Sequence, residues 1–435
     1  KNVGQYSLQL YKGSHPAHDD YSVYPGVYSY KYPKAGQDNS KMSAWSYDIK
    51  SHRTQKLQVP LDADGYMPRI VPTPNADKVL VYTMPRHQDV LNLYAANPRS
   101  TVAHLLLKES VAKYVKEETM VNIKIGDNYI LVPSDRDGYN HIYVYNHNGQ
   151  LLRKVAPGNY DITDVYGMDE ATGDIYYQAA ALNPHDRQVY VAHKNGKTER
   201  LTRQEGWNTA VFSGDFKYFL NSWSDYNTPY VYTTRSNNGN VIATNVDNKK
   251  LKEKIARFGW VKKEPFSFTT SEGVKLDGWM VKPADFNASR KYPVIMFQYS
   301  GPGNQQVVNS WNAGSMGQGG AYDMYLAQQG FIVVCVDGRG TGGRGAEFEK
   351  CTYQKLGALE SKDQVETALY LGTLPYVDKA NIGIWGWSFG GFCTLMSMSE
   401  GRPVFKAGVA VAPPTSWRYY DTVYTERYMR TPQEN

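Results

Sequence analysis

The chain has 435 residues, more than one ordinary core supports, so two domains are the starting expectation. A formal net charge of +6 is spread without any long basic run, which argues against nucleic-acid binding, and no apolar run approaches the ~18 residues of a membrane span. Apolar residues at 41% and charged residues at 21% suit a soluble globular protein, while 36 tyrosines and 38 glycines favour half-buried strands and turns.

The chain opens with Lys1-Asn2-Val3-Gly4, which is no signal peptide; a targeting segment for an exported protein is expected outside it. Residues 1 to about 257 read as a repeat array. His141–Tyr145 precedes Asn148-Gly149, Val189–Val191 precedes Asn195-Gly196, and Val231-Tyr232 precedes Asn238-Gly239, with the glycines 47 and 43 residues apart. Looser copies lie around Ala44–Lys56 and Leu91–Leu107. Asn-Gly between alternating runs signals a hairpin, and a period in the forties with about four short strands per unit signals propeller blades. About five units fit. A closed ring then requires either a small propeller or further blades outside this chain.

After Phe258 the texture changes, with the boundary expected near Ala256–Lys262. Phe266–Thr270 and Leu276–Val281 form a hairpin around Ser271-Glu272-Gly273. Four apolar strands follow, at Val294–Tyr299, Phe331–Val336, Ile382–Trp385 and Gly408–Val411. Helices at Ala321–Gln329, Ala358–Leu371 and Phe392–Met398 separate them, a pattern of parallel strands with crossovers. The expected division is 1–257 for the propeller part and 258–435 for an α/β domain. Cys335, Cys351 and Cys393 read as inert thiols rather than a metal site or disulfide framework.

The informative segment is Asn381–Met398. The strand Ile382–Trp385 runs into Gly386-Trp387-Ser388-Phe389-Gly390-Gly391 and then a helix. This is the pattern of a nucleophile elbow, where the positions two before and two after the serine must be nearly free of side chain. Ser388 then projects at a helix N-terminus, where the backbone N–H of Phe389 can meet an oxyanion. Such a serine needs a base, normally a histidine later in the chain. All nine histidines, from His15 to His193, precede it. The triad acid and histidine are therefore expected on a segment not present here, and this chain alone is expected to be inactive. Asp421 and Glu426, the nearest downstream acids, sit among tyrosines and read as structural hydrogen-bond partners.

Here the sequence resembles the prolyl oligopeptidase-like serine peptidases, and within them the dipeptidyl peptidase IV branch of the bacterial type. Gly-Trp-Ser-x-Gly-Gly matches its nucleophile motif, with Phe389 in place of the usual tyrosine. Because the donor is a backbone N–H, that change is mild. Tyr299-Ser300-Gly301-Pro302-Gly303 looks like the loop whose tyrosine hydroxyl supplies a second oxyanion donor; read alone, Tyr299 caps a strand end equally well. Val411–Met429, with its run Trp417-Arg418-Tyr419-Tyr420-Asp421-Thr422-Val423-Tyr424, is the most specific match. By the resemblance Trp417, Tyr420 and Tyr424 line a pocket for a proline ring; by themselves they would read as core packing. Asp337-Gly338-Arg339-Gly340, Tyr32-Pro33-Lys34-Ala35-Gly36 and Ser134–Tyr139 also look like family segments.

The resemblance implies a β-propeller plus α/β-hydrolase architecture, with N-terminal blades and the C-terminal end of the hydrolase domain outside this chain. It implies a serine exopeptidase that releases Xaa-Pro or Xaa-Ala dipeptides through an acyl-enzyme, with no cofactor and no metal. Its partners would be peptides with a penultimate proline. Its members are mostly exported, periplasmic or at the cell envelope, and commonly homodimeric. The family holds the substrate amine with a glutamate pair; Glu117-Glu118 does not match that motif and reads as propeller surface, so the true pair is expected before Lys1. A related tripeptidyl, acylaminoacyl or endo-acting prolyl peptidase is the alternative, and a non-catalytic propeller binding protein the remote one.

Overall fold

The Asn-Gly turns each close a hairpin. Gly149, Gly196 and Gly239 take φ of 80°, 90° and 87°, and their amides donate to the carbonyls of Asn146, His193 and Ser236. Only glycine adopts that left-handed backbone without strain, so each turn position dictates its residue. The structure, a computed structural model, describes residues 2–11, 24–315 and 320–435. The chain divides into two compact units, Lys1–Val115 with Ser416–Asn435, and Lys116–Thr415.

In the first unit, Gln5–Leu10 pairs with Gly26–Lys31, and Trp45–Asp48 pairs with Arg53–Lys56. Tyr66–Pro72, Val79–Met84, Val90–Ala96 and Ala103–Ser110 form a four-stranded antiparallel meander. Val79–Met84 and Val90–Ala96 are its inner strands and bury Leu80, Val81, Leu91 and Leu93 almost completely. The segment 416–435 adds the helix Thr422–Met429 to this unit.

The second unit holds three more four-stranded meanders, beginning at Lys124–Ile125, Ile162–Asp169 and Trp207–Phe212. Among the described residues the repeat half thus contains four complete blade-type sheets and two strand pairs. The helix Lys249–Arg257 follows the last of these sheets.

A six-stranded sheet then begins at Lys263. Its order is Lys263–Thr269, Lys275–Val281, Ile332–Asp337, Tyr292–Phe297, Val377–Trp387, Ala407–Val411. The first two strands are antiparallel to their neighbours, and the last four run parallel. Its inner strands Tyr292–Phe297 and Ile332–Asp337 are predominantly apolar, as strands covered on both faces require, and Val294, Met296, Ile332, Val334, Ile382 and Ile384 share one core. Among the described residues no helix is long and apolar enough to cross a membrane.

The strand before Ser388 is longer than its apolar run predicts. It continues to Trp387 because Trp387 still pairs with Val411, and the Ser388 amide donates to the Val411 carbonyl at 2.9 Å. The helix after it starts at Phe389 rather than Phe392. Two consecutive glycines are poor helix formers, but packing overrides propensity here. A Cβ at Gly390 would lie 2.5 Å from the Gln298 carbonyl oxygen, and one at Gly391 would lie 2.8 Å from that of Val411.

Candidate active site

Ser388 sits between strand Val377–Trp387 and helix Phe389–Met398 with φ 57° and ψ −118°. A non-glycine residue reaches this region only when its surroundings over-determine it, and here they do. A Cβ at Gly386 would meet Gly390 C and O at 2.5 Å and Gln298 O at 2.6 Å. The chain therefore folds back on itself so tightly that both flanking positions exclude any side chain. This is the geometry of a nucleophile elbow. Ser388 itself is half-buried. The Phe389 amide lies at the start of the helix, where N–H groups have no acceptor within the helix and carry partial positive charge.

Tyr299 follows the neighbouring strand Tyr292–Phe297. Its ring lies 6.1 Å, centroid to centroid, from that of Phe389, which is buried and packs edge-on against Phe392. Just beyond Tyr299 the backbone turns sharply, with Ser300 at φ 61°, and a Cβ at Gly301 would fall 2.5 Å from the Tyr299 ring. The loop is tied down at Gly303, whose amide donates to the Gly340 carbonyl at 2.9 Å. Ser388, Phe389 and Tyr299 thus share one corner of the sheet at the C-terminal ends of adjacent strands.

The Asp337–Gly340 loop supports that corner. Asp337 accepts the amides of Gln306 at 2.9 Å and Val307 at 2.8 Å. Burial outweighs these bonds and pushes its carboxyl up to about 6. Asp277, its register partner on the next strand, is also raised by burial, but His185, Ser267 and Arg344 overcome this and hold it at about 2. Arg339 grips the buried Asp363 through its backbone amide and guanidinium at 2.7 to 3.2 Å.

Trp417, Tyr420 and Tyr424 belong to the other unit, where they form a three-ring cluster with centroids 5.6 to 5.7 Å apart. Trp417 and Tyr424 stack, and Tyr420 stands edge-on to both. The helix carrying Tyr424 is capped by Asp421, which accepts the Tyr424 amide at 2.8 Å. Glu426 is fully buried and accepts from Arg86 at 2.6 and 2.7 Å and from the Gly36 amide at 2.7 Å. Gln88 bridges the Val423 carbonyl and Arg427 at 2.7 and 2.9 Å. The Tyr32–Gly36 segment completes the support: Ala35 N–H donates to Tyr420 O, and Thr422 N–H to Pro33 O. Asp421 and Glu426 therefore organise the aromatic helix.

Glu117 and Glu118 are exposed in the first turn of the short helix Glu117–Asn122. Sequence reasoning missed Gln298, Arg86 and Gln88. A glutamine ending an apolar strand was the available signal for the first; nothing local marks the other two.

Chemically, a serine hydroxyl held on a strained turn, beside a helix-start amide and a phenol, can attack a carbonyl and stabilise the resulting oxyanion. Two family descriptions match the chain, "Dipeptidyl peptidase IV (DPP IV) N-terminal region" over residues 1–230 and "Prolyl oligopeptidase family" over residues 321–435. The crystal structure of Porphyromonas gingivalis dipeptidyl peptidase 4 superposes with a TM-score of 0.92 at 42% identity, over 100% of this chain and 60% of that one. The "Probable dipeptidyl-aminopeptidase B" of Arthroderma otae is 30% identical over 95% of this chain and 46% of its own length. That of Talaromyces marneffei is 32% identical over 95% and 47%. The chain spans about half the length of the curated relatives it matches. These matches extend across both the blade sheets and the hydrolase sheet, and the chain belongs to the dipeptidyl peptidase IV family of prolyl oligopeptidase-like serine peptidases.

Proposed function

We propose that the full-length protein is a serine exopeptidase that removes Xaa-Pro or Xaa-Ala dipeptides from the amino end of peptides. In this reading the Ser388 hydroxyl attacks the carbonyl of the second residue. The Phe389 amide and the Tyr299 hydroxyl hold the oxyanion, the dipeptide is transferred to Ser388 as the amine leaves, and water then releases it. Trp417, Tyr420 and Tyr424 seat the proline ring. The base histidine, its acid and the glutamates that hold the substrate amine belong to the part of the relatives that this chain does not span. Export to the periplasm or cell envelope, and pairing as a homodimer, complete the reading and rest on family likeness.

One observation carries it above all: Ser388 at φ 57°, on a turn so crowded that neither Gly386 nor Gly390 could bear a methyl group. The test is kinetic, on the full-length protein, with Gly-Pro-p-nitroanilide and its amino-blocked counterpart. Cleavage of the free-amine substrate alone is expected. Equal use of both would replace the exopeptidase with an endo-acting prolyl enzyme, and use of the blocked substrate alone would favour an acylaminoacyl peptidase.

A further inference from the structure

Gln298 lies between the strand Tyr292–Phe297 and Tyr299, completely buried. Its backbone amide donates to the Trp385 carbonyl at 3.1 Å, fixing it to the strand that leads to Ser388. Its backbone oxygen is the atom that a Cβ at either Gly386 or Gly390 would strike, at 2.6 and 2.5 Å. Its side-chain Nε2 donates to the Gly390 carbonyl at 2.5 Å and to Thr394 Oγ1 at 3.1 Å. Thr394 in turn donates to the same carbonyl at 2.8 Å. Gln298 therefore touches both glycines that flank Ser388 and hooks the first turn of the helix that starts at Phe389.

A fully buried position at the end of an apolar strand ordinarily takes a valine or isoleucine, because burying an amide costs free energy. The cost here is visible: the Gln298 Oε1 has no hydrogen-bond partner. An amide kept under these conditions is kept for the geometry its other end imposes. Gln298 is covalently joined to Tyr299, and the Tyr299 Cα lies 3.1 Å from where a Gly390 Cβ would be. Rotation of the helix's first turn would move the Phe389 N–H relative to the Tyr299 ring, and the Gln298–Gly390 bond opposes that rotation.

We infer that Gln298 is a positioning residue that fixes the separation of the two oxyanion donors, the Tyr299 hydroxyl and the Phe389 amide. The inference rests on the functional reading above. It is tested in the full-length enzyme with Gln298→Met, which keeps length and volume but donates no hydrogen bond, with Tyr299→Phe, and with the pair combined. On Gly-Pro-p-nitroanilide, Gln298→Met is expected to lower kcat by up to about a hundredfold with KM within about twofold, since a small misplacement of reacting groups has that effect. Rates are normalised to the active sites titrated by a fluorophosphonate. In the Tyr299→Phe background the same change is expected to cost less than about threefold, because the donor it positions is gone.

A full, multiplicative loss in the double variant would overturn the inference, as would a lowered Tm with kcat per titrated site unchanged. If Tyr299→Phe alone leaves kcat intact, the functional reading fails and the inference falls with it. Should Gln298→Met not fold, Gln298→Asn, which withdraws the amide by one methylene, carries the same expectations and the same refutations.

Discussion

The corner around Ser388 and the aromatic helix around Tyr424 reach precision by opposite means. At Ser388 the constraint is backbone against backbone: the Gln298 carbonyl abuts Gly386 and Gly390, and the serine takes φ 57° because no other course fits. At Tyr424 the constraint is charge. A buried Glu426 holds Arg86 from a strand hairpin 340 residues earlier, and Gln88 clasps Arg427. The steric constraint leaves its mark on a few consecutive residues as glycines, even where the carbonyl that enforces it comes from Gln298. An electrostatic one joins residues far apart and leaves either partner meaningless when read alone.

That contrast can be broken by experiment. Arg86→Ala should be the most damaging substitution away from Ser388 itself. It leaves a completely buried carboxylate without its partner, which costs about 3–5 kcal/mol. Urea unfolding followed by tyrosine and tryptophan fluorescence would show it. Replacing Arg86 and Glu426 together by methionine should cost much less. Equal losses in the single and double variants would mean that the pair does not organise the helix.

Asp337 offers a pH-dependent test within the hydrolase unit. Its carboxyl is raised from 3.8 to about 6 in the folded chain, so its contribution to stability is fully present below about 4 and is lost as pH rises through 6. Two pKa units correspond to about 2–3 kcal/mol. Asp277, held at about 2, contributes above about 4 and loses that contribution only toward pH 2, below the range from pH 4.5 to 8; within that range the buried Glu360, raised to about 8, adds a decline of its own. Asp337→Asn should reduce, without abolishing, the decline in unfolding free energy across that range. An unchanged slope would assign the decline to other groups.

Gly390→Ala sharpens the steric side. Its methyl group would lie 2.5 Å from the Gln298 backbone oxygen, too close to be borne unless the turn shifts, so it should cost about 3 kcal/mol, the upper end of overpacking. Its effect on fluorophosphonate reactivity should be far larger than on unfolding, because the strain falls on the turn that aims Ser388. A stable variant with full reactivity would show that the crowding does not set the serine.

The same contrast explains what could be read in advance. Gly386 to Gly391 is contiguous and needed no partner, and the Asn-Gly turns at 149, 196 and 239 are equally self-contained. Tyr299 was assigned by family likeness, since a tyrosine after a core strand caps the strand end equally well, although its loop is turned by Ser300 and Gly301 next to it in sequence. The aromatic residues 417, 420 and 424 were assigned by family likeness, since a cluster of rings has no local signature that separates a pocket from a core. Arg86, Gln88 and the Gln298 side chain escaped because their partners lie 340, 339 and 92 residues away. The early start of the helix at Phe389 escaped because glycine propensity argued against it, while close packing decided it.

The most direct measurement is the mass of the full-length protein after reaction with a fluorophosphonate, with the modified peptide mapped. The account predicts one adduct per chain, on Ser388, abolished by Ser388→Ala and accompanied by loss of Gly-Pro-p-nitroanilide cleavage. An adduct on another serine, or Gly-Pro cleavage that survives Ser388→Ala, would contradict it.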